Sequence, residues 1–64
     1  MTTPTAAYCD HLNREVERQQ NRGGPPVGEA RQLADEGVRM CDRGLFRGGV
    51  VRLRRALGIM RNGR

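Results

Sequence analysis

The chain of 64 residues contains no lysine, no serine and no tryptophan. Its aromatic side chains are Tyr8 and Phe46, and its single histidine is His11. Without serine, the hydroxyl nucleophile of most acyl-transfer enzymes is missing. Without a set of aromatic rings, there is no stacking platform for single-stranded nucleic acid. No apolar run approaches the roughly 18 residues of a membrane helix, so no membrane insertion is expected. The N-terminus lacks the basic and apolar regions of an export signal, which predicts a cytoplasmic, reducing setting. Acidic residues are absent beyond Asp42.

What remains is small. Leu, Ile, Val and Phe together supply 12 of the 64 residues. A core of this size rarely contributes more than about 3–5 kcal/mol. That argues for one domain at most, against an enzyme with a deep pocket of its own, and for stabilisation by a partner. All twelve basic residues are arginine, and the net charge is +5. Residues 1–42 carry five arginines and seven acids, whereas residues 43–64 carry seven arginines and no acid. A basic C-terminal third suits an acidic protein surface, phosphate or anionic lipid.

Three helices are predicted. Thr3-Pro4 reads as an N-cap followed by proline at the first helical position. From there to about Arg22, Tyr8, Cys9, Leu12 and Val16 form a narrow apolar stripe. Residues 23–27, Gly-Gly-Pro-Pro-Val, stop this helix and act as a linker. The remainder, 28–64, reads as a helical hairpin. Its first helix, about Gly28 to Arg43, places Ala30, Leu33, Ala34, Gly37, Met40 and Cys41 at helical spacing, with Val38 flanking. Gly37 costs about 1 kcal/mol relative to Ala in mid-helix, and its place on the apolar stripe points to a close helix contact.

Gly44 marks the corner. The last helix, about Leu45 to Arg61 with Asn62-Gly63 as its stop, repeats apolar residues at four and three: Phe46, Val50, Leu53, Leu57 and Met60. Arg47, Arg54 and Arg61 fall on one line beside this seam, and Arg52 and Arg55 are assigned to the back. Val51 and Ile59 are large apolar residues off the seam.

Residues 30–61 resemble a single tetratricopeptide repeat, a helix–turn–helix unit. The resemblance is carried by Leu33, Gly37, Met40, Gly44, Phe46, Gly49, Leu53 and Ala56-Leu57. It departs from the pattern at Glu36, where leucine is usual, at Arg61, where proline is usual, and at Gly48-Gly49, which weakens the start of the last helix. It implies an antiparallel hairpin with close contact at Gly37, and a face that one repeat alone cannot bury.

Cys9 and Cys41 have no zinc-ligand or CxxC spacing. They are read first as small core residues with free thiols, second as a disulfide, third as a redox or metal pair. Cys9 and His11 point to different sides of a helix and cannot share a metal. No phosphate loop or catalytic motif is present, and neither cofactor nor metal is expected.

The sequence thus predicts an all-α fold of three short helices, the last two an antiparallel tetratricopeptide-like hairpin. The hairpin contact residues are Leu33, Gly37, Met40, Phe46, Val50, Leu53, Leu57 and Met60. The predicted function is that of a non-catalytic, intracellular adaptor or accessory subunit. It would self-associate as a two-fold dimer and bind a protein partner through Arg47, Val51, Arg54, Ile59 and Arg61. The alternative is a small basic regulator that binds nucleic acid through an arginine-rich helix.

Overall fold

A computed structural model describes residues 5–62 of the chain. Three helices follow one another: α1 (Ala6–Gly23), α2 (Gly28–Asp42) and α3 (Phe46–Arg61), with no strand among the described residues. The fold is all-α.

Helix α1 is capped by Thr5, whose Oγ1 accepts the Tyr8 amide at 3.2 Å. This side-chain acceptor satisfies one of the free amides of the first turn. The expected cap at Thr3-Pro4 lies outside the described residues, as does Gly63. The amide of Gly24 donates to the Gln20 carbonyl at 2.7 Å and closes the helix. At the far corner, Gly44 adopts φ 82°. Its amide donates to the Cys41 carbonyl at 3.0 Å, and that of Leu45 to the Met40 carbonyl at 2.8 Å. This paired closure needs a left-handed residue, which glycine supplies without a Cβ penalty.

Helices α2 and α3 are antiparallel and tightly packed, because Gly37 faces Gly49 and Leu53, while Met40 faces Gly48. A Cβ on Gly37 would lie 2.8 Å from Leu53 Cγ and 3.0 Å from the Gly49 carbonyl oxygen. A Cβ on Gly49 would lie 2.9 Å from the Gly37 carbonyl oxygen and collide with Cys41 Sγ. The two glycines therefore let the backbones touch. Met40 covers Gly48 in the same way.

Helix α3 is the central element, packed against both others, whereas α1 and α2 touch each other least. The core joins Cys9, Leu12 and Val16 of α1, Ala34 of α2, and Val50, Leu53, Ala56 and Leu57 of α3. Leu53 and Ala56 are fully enclosed, at 0% exposure. Tyr8, Leu33, Val38, Cys41, Phe46 and Met60 are half-buried against this cluster. Ala56, too small to mark a heptad seam, is as deeply buried as Leu53.

The cysteines depart from the leading expectation. Cys9 and Cys41 form a disulfide, with Cα atoms 6.1 Å apart, and leave no free thiol. Each lies on the apolar stripe of its helix. Docking α1 over the α2–α3 corner brings the two stripes together at this point, a juxtaposition that spacing along the chain does not reveal.

Two stability predictions follow from these contacts. The bond spans a sequence separation of 32, which restricts the unfolded chain by about 3–4 kcal/mol. Reduction should lower the stability measured by urea unfolding by about 2–4 kcal/mol. Superimposable curves with and without reductant would show that the bond adds nothing. The glycines separate by context. Gly37→Leu should lower stability by about 1–3 kcal/mol through overpacking, outweighing its better helix propensity. Gly58, with nothing within 4 Å of the Cβ position, should gain about 0.5–1 kcal/mol on change to Ala. A Gly37→Leu protein that melts above the parent would remove the close crossing.

Candidate interaction surface

Helix α3 divides into two sides. Val50, Leu53, Ala56 and Leu57 face the core, with Phe46 and Met60 at the margins. Arg47, Val51, Arg54, Arg55 and Gly58 are exposed. Val51 is three and four residues from Arg54 and Arg55, and Gly58 is four and three beyond them. At 3.6 residues per turn these five positions adjoin one another on one face. Val51 stands in the middle at 50% exposure. The arginines around it form no ion pair among the described residues.

The predicted contact residues are thus not all together. Arg47, Val51 and Arg54 share the exposed face. Arg61 is engaged inside the molecule: its Nη2 lies 3.4 Å from Glu15 Oε1 on α1. Glu15 also accepts Arg18 Nη1 at 2.5 Å and is only 19% exposed. Such a partly exposed pair contributes about 0–1 kcal/mol, but it directs the Arg61 side chain towards α1.

Ile59 is half-buried. It lines an open cleft of about 460 Å³ with Gln19, Arg22, the 23–27 linker, Ala30 and Met60. The linker and the end of α3 both line this cleft, so Ile59 borders it instead of standing on the outer face with Val51. Arg52, assigned from the sequence to the back of the helix, is half-buried and donates through Nη1 to the Gly48 carbonyl at 3.2 Å. Arg55, grouped with it, is exposed as that assignment requires and adjoins Val51 and Arg54.

The hairpin contact residues group around the crossing. Gly37, Val50, Leu53 and Leu57 are buried, and Leu33, Met40, Phe46 and Met60 are half-buried. The sequence offers Glu15, Glu17, Asp35 and Glu36 as internal acids for the arginine line, and Glu15 is the one that meets Arg61. Gly58 is not singled out by the sequence reading. The available signal for Gly58 was a glycine within a helix and off its apolar seam.

The remaining polar chemistry is dispersed. His11 is exposed and its ring stacks beside Tyr8, with centroids 6.2 Å apart. Among the described residues, no group of three or more His, Cys, Asp or Glu side chains is placed to hold a metal ion, and no helix is long and apolar enough to cross a membrane. The acids Asp10, Glu17, Glu29, Asp35, Glu36 and Asp42 are exposed on α1 and α2. These two helices also carry exposed arginines, whereas α3 carries arginines and no acid. No protein-family model, no curated protein and no solved structure matches the chain.

Proposed function

We propose that this chain is a small non-catalytic helical adaptor or accessory subunit that binds an acidic protein surface through the exposed face of α3. The observation that carries this is the set Arg47, Arg54 and Arg55 around Val51, on a helix without a single acid. Arginines that only solvate a helix need no apolar residue between them. A half-exposed valine inside a cationic rim is the pattern of a protein interface, where charge selects the partner and apolar area is buried. Phosphate backbone, the alternative target, offers nothing to Val51.

The close crossing at Gly37 and Gly49 supports the tetratricopeptide-like reading as geometry. In that reading a hairpin is completed by a further helix. Helix α1 already covers one side of the hairpin, which leaves the α3 face for another molecule.

The same surface opposes the two-fold dimer expected from composition. Ile59 is half-buried at the edge of the linker cleft and does not join Val51 on the exposed face. A symmetric contact through Val51 would set Arg47, Arg54 and Arg55 against their own copies, and like charges face to face are unfavourable. The partner in this reading is a different molecule. The closed Cys9–Cys41 bond favours an oxidising compartment over the cytoplasm expected from the sequence, because disulfides persist where thiols are not kept reduced.

The test is affinity purification of the tagged full chain from its native host after nuclease treatment, with mass measurement of the intact complex. The parent should retain a protein partner in fixed stoichiometry. The combined change Arg47→Glu, Arg54→Glu and Arg55→Glu should lower affinity for that partner at least about tenfold, since three exposed pairs at up to about 1 kcal/mol each are lost. Arg52→Glu should matter less. Loss of the complex on nuclease treatment would favour the nucleic-acid reading. Equal loss from Arg52→Glu would indicate a diffuse field rather than a defined face.

A further inference from the structure

Most of the glycines in the described residues have an internal explanation. Gly37, Gly48 and Gly49 make room for Leu53, Met40 and Cys41. Gly24, Gly28 and Gly44 have positive φ values, and Gly23 ends α1. Gly58 is different. It lies within α3, is exposed, has no positive φ, and nothing stands within 4 Å of where its Cβ would be. Its helix is weakened by a glycine with no compensating contact inside the molecule.

We infer that Gly58 is a crossing point for an acidic α-helix of the partner, which packs along α3 with its backbone close to Gly58, its small apolar seam on Val51 and its carboxylates on Arg47, Arg54 and Arg55. This rests on the function proposed above and specifies the form of the partner.

Three observations support a helix as occupant. Gly58 lies seven residues from Val51, so notch and apolar residue are aligned along the axis. From Arg47 to Gly58 the face runs eleven residues, about 16 Å, a straight strip that matches three turns of another helix. Arg47 and Arg54 are also seven apart, so acids one heptad apart on the partner would meet them in register. The chain itself supplies the precedent: on its opposite side, α3 crosses α2 through Gly37 and Gly49 with the backbones in contact.

A second copy of this chain fits poorly. On α2, Glu29 and Glu36 are exposed and one heptad apart, but Arg39 follows Glu36 by one turn and Asp35 is already 3.8 Å from Arg31. No helix of the chain offers an unbroken acidic face.

The test uses the oxidised full chain and three labelled probes. The first is a stapled helical peptide with an Ala/Leu seam flanked by glutamates. The second is an unstapled peptide of the same composition in scrambled order, and the third a DNA duplex. Anisotropy titrations should show the helical probe binding at least about tenfold tighter than the scrambled coil, since the latter must be ordered on binding. The affinity should weaken as salt is raised. Gly58→Leu should reduce binding of the helical probe at least about tenfold through lost close approach. Gly58→Ala should weaken it less. Both variants should melt at or above the parent, so that lost binding is not lost folding.

Parent-like binding by Gly58→Leu, or equal binding of helix and coil, overturns the crossing. If Arg47→Glu with Arg54→Glu abolishes binding while Gly58→Leu does not, the cationic face stands and the helix crossing falls. If neither acidic peptide binds, or the duplex binds more tightly than both, the acidic-protein reading falls with it.

Discussion

The rest of the molecule depends on the contact between two backbones at Gly37 and Gly49. The carbonyl oxygen of each glycine stands where a Cβ on the other would press, so α2 and α3 approach closer than residues with side chains would allow. That approach fixes where neighbouring side chains can go. Leu53 enters the gap beside Gly37 and becomes fully enclosed. Cys41 rests its sulfur against Gly49, within reach of Cys9 on α1. One close crossing thereby determines the largest fully buried side chain, the position of the covalent link and the surface on which α1 docks. A core with few large residues can hold three helices because these residues are packed without intervening space.

The elements themselves were legible. The 3.6-residue recurrence of apolar side chains, the Gly-Pro linker and the glycine corner each report local physics, and the helices follow them within a residue or two at most internal ends. Gly37 was legible as well, because a mid-helix glycine on an apolar stripe requires a reason. What could not be read locally was the placement of α1. The Cys9–Cys41 bond, the Arg61–Glu15 pair and the cleft that Ile59 shares with the linker all arise from how α1 and the linker return over the hairpin. Periodicity on a single helix carries no information about that angle. Arg52 was misassigned for a related reason: its long side chain turns back to the Gly48 carbonyl and loses solvent at a position whose backbone angle alone suggested the exterior.

Electrostatics divide the work among the helices. Helices α1 and α2 mix both signs, and Glu15 neutralises part of the charge at the end of α3 through Arg61. The middle of α3 is left positive and faces outward. Because α3 is also the central packing element, its inner and outer sides are tied: Val51 and Arg54 are the chain neighbours of Val50 and Leu53, which anchor the core. The candidate interface is therefore mounted on the helix that packs against both others rather than on a loop, and its arginines are spaced by a regular backbone.

The disulfide also has a topological effect. It closes a ring from residue 9 to residue 41 that contains most of α1, the linker and nearly all of α2, while α3 lies outside as a tail attached at one end. Under tension applied through the two ends, the load passes from Cys9 directly to Cys41 and skips everything between. About 110 Å of contour, from the length of an extended chain, is hidden from the pull. The yielding part is α3, which would peel from the ring while the ring stays closed. Mechanically, the helix that carries the interface is the detachable one, and the remainder acts as its mount.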